Sequence, residues 1–204
     1  MPVLINDPAT EAQFRIEREE CDSSRWDEVW EGDLVMPPIP NDDHQDLVGG
    51  IYVAMREAIQ KSKRGLVRPG ANVSDRHPGW TENYRVPDIV VYLFTNPAIN
   101  HGTHWTGGPD FLVEVLSPGE KAYAKFDFYA KTRTREILLV FRYPWRLELH
   151  RLDGDSFRMV GRNELNDDVV LTSEALPLAF HLKPTATRPA IEICHTEEGR
   201  MWEG

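Results

Sequence analysis

Two carboxylates set inside apolar stretches are the residues of this sequence best placed to do chemistry. Asp88 lies in the run 85–94 and Glu114 in the run 110–116. Both runs are rich in Val, Ile, Leu, Phe and Tyr, as interior strands are. Side chains alternate across a strand, so Asp88 shares a face with Val90 and Tyr92, and Glu114 with Asp110, Leu112 and Leu116. A buried carboxylate without a partner is heavily penalised, so a purely structural strand has cheaper choices. If the two strands are neighbours, Asp88 and Glu114 converge on one hard cation such as Mg²⁺ or Mn²⁺. A single acid of this kind is explained as well by a strand end in water, or by pairing with Arg85 or Arg135. Two on successive strands, followed directly by a helix bearing Lys121 and Lys125, favour the metal reading. Those lysines lie one helical turn apart, and both can lean towards Glu114.

The elements that must position these groups follow from periodicity. The segment through Glu20 is polar and partly helical. A hairpin is expected from 25–30 and 33–36 about a Glu31-Gly32 turn, and Pro37, Pro38 and Pro40 end it. A helix is expected over 42–63, capped by Asn41, Asp42 or Asp43 and stopped at Gly65. Its apolar stripe is Leu47, Ile51, Ala54, Met55, Ala58 and Ile59. A strand is expected over 66–73, then the strong strands 85–94 and 110–116, a helix over 120–132, and a strand over 136–142. Antiparallel hairpins follow at 145–151 and 156–160 about an Asp153-Gly154 turn. The sum is an α/β (α+β) fold, two helices flanking a mixed and partly hairpin-built sheet.

Composition bounds the function. The 204 residues fit one domain, and the two cysteines, Cys21 and Cys194, have no partners at metal-like spacing. Disulfide scaffolds and zinc ribbons are thereby excluded, and a reducing cytoplasm is the expected compartment. No apolar run approaches the length of a membrane span, and no signal-peptide plan opens the chain. With 33 acids against 23 Lys and Arg, the formal charge is −10. Such a chain repels nucleic acid as a whole, so any contact with it needs a local basic surface or metal ions held by the acids.

Several segments in order resemble one family. The Pro87-Asp88, Glu114 and Lys125 set resembles the PD-(D/E)xK nuclease superfamily, and more closely its Uma-two branch of restriction-endonuclease-like proteins. Residues 30–38 with His44 look like that branch's opening hairpin and first helix, and 85–91 like its Pro-Asp strand. Residues 111–118 look like its Glu-Val-Leu-Ser-Pro strand. Lys125, with Tyr129 four residues on and then 136–140, looks like its Lys-x-x-x-Tyr helix and next strand. The resemblance covers about 25–151. It implies a restriction-endonuclease-like mixed sheet with added hairpins over 25–182, an N-terminal segment 1–24 and a C-terminal tail 183–204.

The resemblance implies a metal-dependent endonuclease acting on DNA. Asp88 and Glu114 would hold Mg²⁺ or Mn²⁺, and Lys125 would orient or deprotonate water or neutralise the phosphate. His44, Lys121 and Tyr129 would be auxiliary, although His44 reads equally well as a helix-capping or solvent-facing residue. The superfamily's simple pattern places a lysine two residues after the acid. Leu116 stands there, which moves the ammonium group to the helix. Two rival readings stand beside this one. The first is a catalytically degenerate binding or dimerisation module of the same fold, as a homodimer. The second is a small metal hydrolase using His101 and His104.

Those two histidines have a three-residue spacing that can clip a transition metal, but without a visible third ligand ordinary loop histidines are the simpler reading. His77 and His150 read as solvent-facing, and His181 and His195 as polar tail residues. Trp80, Tyr84 and Trp105 can stack on unpaired bases, against the commoner fate of core packing. Arg56, Lys61, Lys63, Arg64 and Arg68 form the local basic cluster, read either as a phosphate contact or as a solvated helix end.

Overall fold

The computed structural model describes residues 3–4, 7–20, 24–37, 39–117, 121–186 and 188–204. Cys21, Pro38, Pro118 and Glu120 lie outside the described residues. A six-stranded mixed sheet forms the centre, with Ser156–Glu164, Trp145–Asp153, Glu136–Arg142, Phe111–Leu116, Ile89–Leu93 and Gly65–Pro69 in spatial order. Only Phe111–Leu116 and Glu136–Arg142 run parallel. A parallel pair needs a crossover, and the short helix Phe126–Lys131 supplies it.

Both faces of this sheet are covered. On one side the helix Asp42–Met55 packs with Ile89, Val91, Phe111, Val113, Leu138 and Val140. Phe180, Leu182, Ile191 and Ile193, from a four-stranded antiparallel sheet, join the same core. On the other side Val90, Tyr92, Leu112, Ile137 and Leu139 meet Phe128 and Tyr129 of the crossover helix. Double coverage explains the near-continuous apolar composition of Ile89–Leu93, Phe111–Leu116 and Glu136–Arg142.

A third sheet of seven short strands runs beside the core, in the order Val3–Leu4, Asp33–Met36, Glu28–Trp30, Tyr84–Arg85, Val73–Ser74, Trp105–Thr106 and Ile99–Asn100. The expected strand over 85–94 is thus two strands in two sheets, Tyr84–Arg85 and Ile89–Leu93. Pro87 cannot donate to a ladder, so the chain changes sheets there and Asp88 begins the second strand's course. The 66–73 stretch is likewise split into Gly65–Pro69 and Val73–Ser74, with Gly70 at φ 54 between them.

The expected hairpin is present as Glu28–Trp30 and Asp33–Met36, with Glu31 and Gly32 both at positive φ. The long helix is α-helical over Asp42–Met55 and continues as a π-helix over Arg56–Lys61. The second helix begins as a 3₁₀ turn, Ala122–Lys125, and becomes α-helical only over Phe126–Lys131. Residues read as a C-terminal tail form the strands Ala190–His195 and Met201–Glu203. His195 is therefore buried, its Nδ1 accepting from the amides of Glu197 and Glu198. His150 is also buried and pairs with Glu148 rather than facing solvent.

Gly65 does not stop the helix by backbone freedom. It opens a strand whose backbone presses on its neighbour: a Cβ there would lie 2.4 Å from the Tyr92 carbonyl oxygen and 2.9 Å from Leu93 Cα. Neither backbone atom can yield without moving the inner strand. Gly65→Ala is expected to destabilise the fold by about 2 kcal/mol or more, read as a lower urea midpoint with unchanged slope. A midpoint equal to wild type would mean that the two strands can separate freely.

Candidate active site

Asp88 and Glu114 meet because of strand register. Antiparallel pairing aligns Phe111 with Val91, Leu112 with Val90 and Val113 with Ile89, so the next step places Glu114 opposite Asp88. Beyond Ile89 the main chain leaves the sheet, and the amide of Val115 loses its backbone partner. The Asp88 carboxylate replaces it: Oδ2 accepts from Val115 N at 2.7 Å. Its other oxygen, Oδ1, lies 2.9 Å from His44 Nε2. With an ionised Asp88, that ring nitrogen is the donor. His44 Nδ1 is buried and has no hydrogen-bond partner among the described residues.

His44 is delivered by the helix N-terminus, which is itself anchored. Asn41 caps the helix by accepting from His44 N at 3.1 Å, and the same Oδ1 accepts from the Arg142 guanidinium at 3.0 Å. Arg142 also donates to Ser117 Oγ at 3.2 Å, tying the helix to the end of the Glu114 strand.

Lys125 and Tyr129 arrive from the crossover. Because the chain must return from Leu116 to Glu136 over one face of the sheet, its helix lies above Leu112, Glu114 and Leu139. Tyr129 is fully buried and donates to Glu114 Oε1 at 2.6 Å. Lys125 Nζ donates to the same oxygen at 3.1 Å.

The ammonium group has a second carboxylate that sequence reasoning missed. Glu28, buried in the first hairpin, accepts from Lys125 Nζ at 2.8 Å. The same Oε1 accepts from Val86 N at 2.9 Å, and Oε2 accepts from Trp30 Nε1 at 2.8 Å. Glu28 therefore staples the hairpin to the segment that presents Asp88. An acid in a hairpin strand ordinarily marks a solvent face, and only the neighbouring Trp30 hinted at burial. Arg85, also buried, lies between the rings of Trp30 and Phe128, 4.4 and 4.2 Å from their centroids.

Other sequence candidates stand apart. Lys121 is exposed ahead of the 3₁₀ turn, whereas Lys125 reaches Glu114. Trp105, expected to be able to stack on bases, is buried face to face with Tyr92 at 3.8 Å in the core. Arg56, Lys61, Lys63 and Arg64 are exposed, with Lys61 paired to Glu57 and Arg64 to Glu197. Gly65 pairs with Leu93, so these four lie at the far end of the Ile89–Leu93 strand, whereas Arg68, half-buried and donating to Gln60 Oε1, pairs with Val90 nearer Asp88. Five residues of strand separate the four from Asp88, about 16 Å.

The electrostatics are those of a crowded acid site. Burial pushes the Glu114 carboxyl up, to about 7, with Asp88 and Glu28 adding to the shift and Lys125 and Tyr129 opposing it. Burial disfavours the Lys125 ammonium, yet Glu114 and Glu28 outweigh that and hold its pKa above the ordinary lysine range. Burial, then Glu114, push the Tyr129 hydroxyl well above its usual value. Lys125 is thus a fixed cation and Tyr129 a fixed neutral donor.

Glu114 also fixes a pH dependence. Its folded pKa of about 7 exceeds the 4.5 of the unfolded chain, so the folded state holds the extra proton between those values. The resulting stability is full below pH 4.5 and is lost as pH rises through 7. The shift corresponds to at most about 3 kcal/mol. Glu114→Gln is expected to remove that slope in thermal melts from pH 5 to 8 without metal. Asp88→Ala, which strips Val115 N of its acceptor, is expected to destabilise by ~1–3 kcal/mol at every pH. A slope that persists in Glu114→Gln would place the titration on another group.

The model of the Uma2 family, described as "Putative restriction endonuclease", matches residues 13–185. Among solved structures, a protein from Anabaena variabilis ATCC 29413, titled a "putative nuclease belonging to DUF820", is similar at a TM-score of 0.58 and 14% identity. The match covers 73% of this chain and 82% of that one, and at such low identity it bears on the fold alone. A comparison with curated proteins found no match. Since the family model spans most of the chain, this protein belongs to the Uma2 family of restriction-endonuclease-like proteins.

Proposed function

We propose that this protein is a divalent-metal-dependent nuclease that hydrolyses DNA phosphodiester bonds. The observation that carries the reading is the meeting of Asp88 and Glu114 at one end of two inner strands, with the Lys125 ammonium on Glu114 Oε1. Two buried carboxylates, Glu28 and Glu114, share the Lys125 ammonium, and a third, Asp88, lies close enough to Glu114 to raise its pKa. Hard oxygen donors in excess of cations suit Mg²⁺ or Mn²⁺ rather than a softer metal. Glu114 Oε2 accepts no hydrogen bond among the described residues, and Asp88 Oδ1 has a ring nitrogen as its neighbour. Asp88 and Glu114 would hold the metal through these edges. Bound there, it supplies Lewis-acid stabilisation of the charge that develops on the phosphate oxygens, and it acidifies a water.

The protein's own groups have separable tasks. Glu28 and Glu114 keep Lys125 charged, so Lys125 serves as a cation on the scissile phosphate and not as a general base. Tyr129 orients the Glu114 carboxylate through Oε1. His44 fixes the Asp88 carboxylate from the opposite side, and the Val115 amide sets its plane. Glu28 is a positioning residue: it holds the ammonium group and the Pro-Asp segment together. A protein of charge −10 gains little from non-specific attraction to phosphate, so the metal becomes the main bridge to substrate.

Cleavage of supercoiled plasmid and single-stranded oligonucleotide with Mg²⁺ or Mn²⁺ tests the reading. Wild type is expected to cleave only with metal, and Glu114→Gln and Lys125→Met to lose roughly 10²–10⁴-fold in rate. Arg64→Ala, at the far end of the strand, is expected to stay within about twofold, the effect of one screened surface charge. Equal metal-dependent rates in wild type and Glu114→Gln would overturn the assignment of the site. No cleavage by folded, metal-loaded wild type would favour the degenerate binding module.

A further inference from the structure

Away from the carboxylates, His77, His101 and His104 converge with their ligand nitrogens all within 4.8 Å of one another. The backbone accounts for the meeting. Val73–Ser74 pairs in parallel with Trp105–Thr106, which brings the loop after Ser74 against the hairpin that carries His101 and His104. That hairpin is closed by the His101 amide donating to the His104 carbonyl at 2.9 Å.

Three features distinguish this group from ordinary loop histidines. First, His77 Nδ1 and His104 Nε2 lie 3.2 Å apart. Around a tetrahedral ion with bonds of ~2.0–2.1 Å, neighbouring nitrogens sit ~3.4 Å apart, so one edge already has coordination spacing. Second, His104 is buried and its other nitrogen, Nδ1, lies 3.0 Å from Thr103 Oγ1. A ligating imidazole ordinarily uses its second nitrogen in this way, which fixes the ring and turns the first nitrogen inward. Third, His101 Nε2 is buried with no hydrogen-bond partner among the described residues. Buried polar atoms are nearly always satisfied, and an orphan of this kind points to a missing ligand.

The rings form a near-parallel deck. His77 and His101 have centroids 3.9 Å apart, His101 and His104 4.7 Å, and Trp80 covers His104 at 4.6 Å. His77 is exposed, so it has room to turn its nitrogen onto an ion and leaves the fourth position open to water.

We propose that His77, His101 and His104 bind a first-row transition-metal ion of the Zn²⁺ class, independently of the carboxylate site. Three imidazoles with no carboxylate in the described group form a borderline-soft set, which discriminates against Mg²⁺. The ion clips the loop bearing His77 and Trp80 to the Ile99–Thr106 hairpin, tightening the sheet that also carries Glu28.

The test is calorimetric titration of the chelator-stripped full chain with Zn²⁺, in wild type, His77→Gln, His101→Gln and Glu114→Gln. One ion per chain is expected in wild type and in Glu114→Gln. In both histidine variants affinity is expected to fall about 100-fold, as loss of a ligand exceeds loss of an outer-shell partner. Zinc is also expected to raise the melting temperature of wild type but not of His77→Gln, whose exposed side chain can change without unfolding the protein. Absent zinc binding in wild type would overturn the proposal, leaving the deck as ring packing alone. Undiminished binding in both histidine variants, or binding lost in Glu114→Gln, would overturn it equally by placing the ion elsewhere.

Discussion

The ammonium of Lys125, shared by Glu28 and Glu114, is the interaction through which this structure closes on itself. Glu28 belongs to the seven-stranded sheet, Glu114 to the central sheet, and Lys125 to the crossover between two parallel strands. Three elements are thus joined by two carboxylates around one nitrogen. Buried ion pairs recover their desolvation only with good geometry and with the remaining lone pairs satisfied. Here Val86 N and Trp30 Nε1 satisfy Glu28, and Tyr129 OH joins Lys125 on Glu114 Oε1, while Glu114 Oε2 accepts no hydrogen bond among the described residues. Removing either acid leaves an ammonium with half its compensation, so the arrangement is far more sensitive to losing one member than its net stability suggests.

That constraint also decides how the acids differ. Asp88 is held at both oxygens: Oδ2 completes the hydrogen bonding of the strand end and Oδ1 faces His44. Glu114 is held by donors on one oxygen only, and burial leaves it reluctant to ionise. A group of this kind is destabilising when charged and unpartnered, and becomes favourable once a cation arrives. Under the proposed function, a divalent ion would relieve that cost, the usual trade between stability and function at a reactive centre.

Much of this was legible in the residues themselves. Alternation put Asp88 and Glu114 on one face, and the observed register makes them direct neighbours. The hairpin, the long helix and the Glu136–Arg142 strand follow from turn chemistry and periodicity, because each is decided locally. Lys121 and Lys125 show where local reasoning fails. They share a face only on an α-helix, but Lys121 stands ahead of a 3₁₀ turn, Ala122–Lys125, with non-helical backbone at φ −86 and ψ 85, so no helical step relates the two side chains. Glu28 and His77 were illegible for a different reason. Each acquires its partners through pairing between distant segments, and neither an acid in a hairpin nor a histidine in a polar loop carries a local mark of that.

The charge of the molecule sets the terms on which it can meet nucleic acid. Its exposed basic residues on the long helix lie at the opposite end of the inner strand from Asp88, and two of them are already paired with acids. They cannot steer a phosphate into the carboxylates. Trp105, locked against Tyr92, cannot stack on a base without opening the core. What stands at the reactive end is Lys125 and whatever cation the acids collect. Recognition would then rest on few phosphate contacts, each dependent on metal, and affinity would vary weakly with salt. Under the proposed function, discrimination would rest on whether a scissile phosphate can reach the bottom of the Glu28–Asp88–Glu114 corner, and so on the deformability of the strand more than on its sequence.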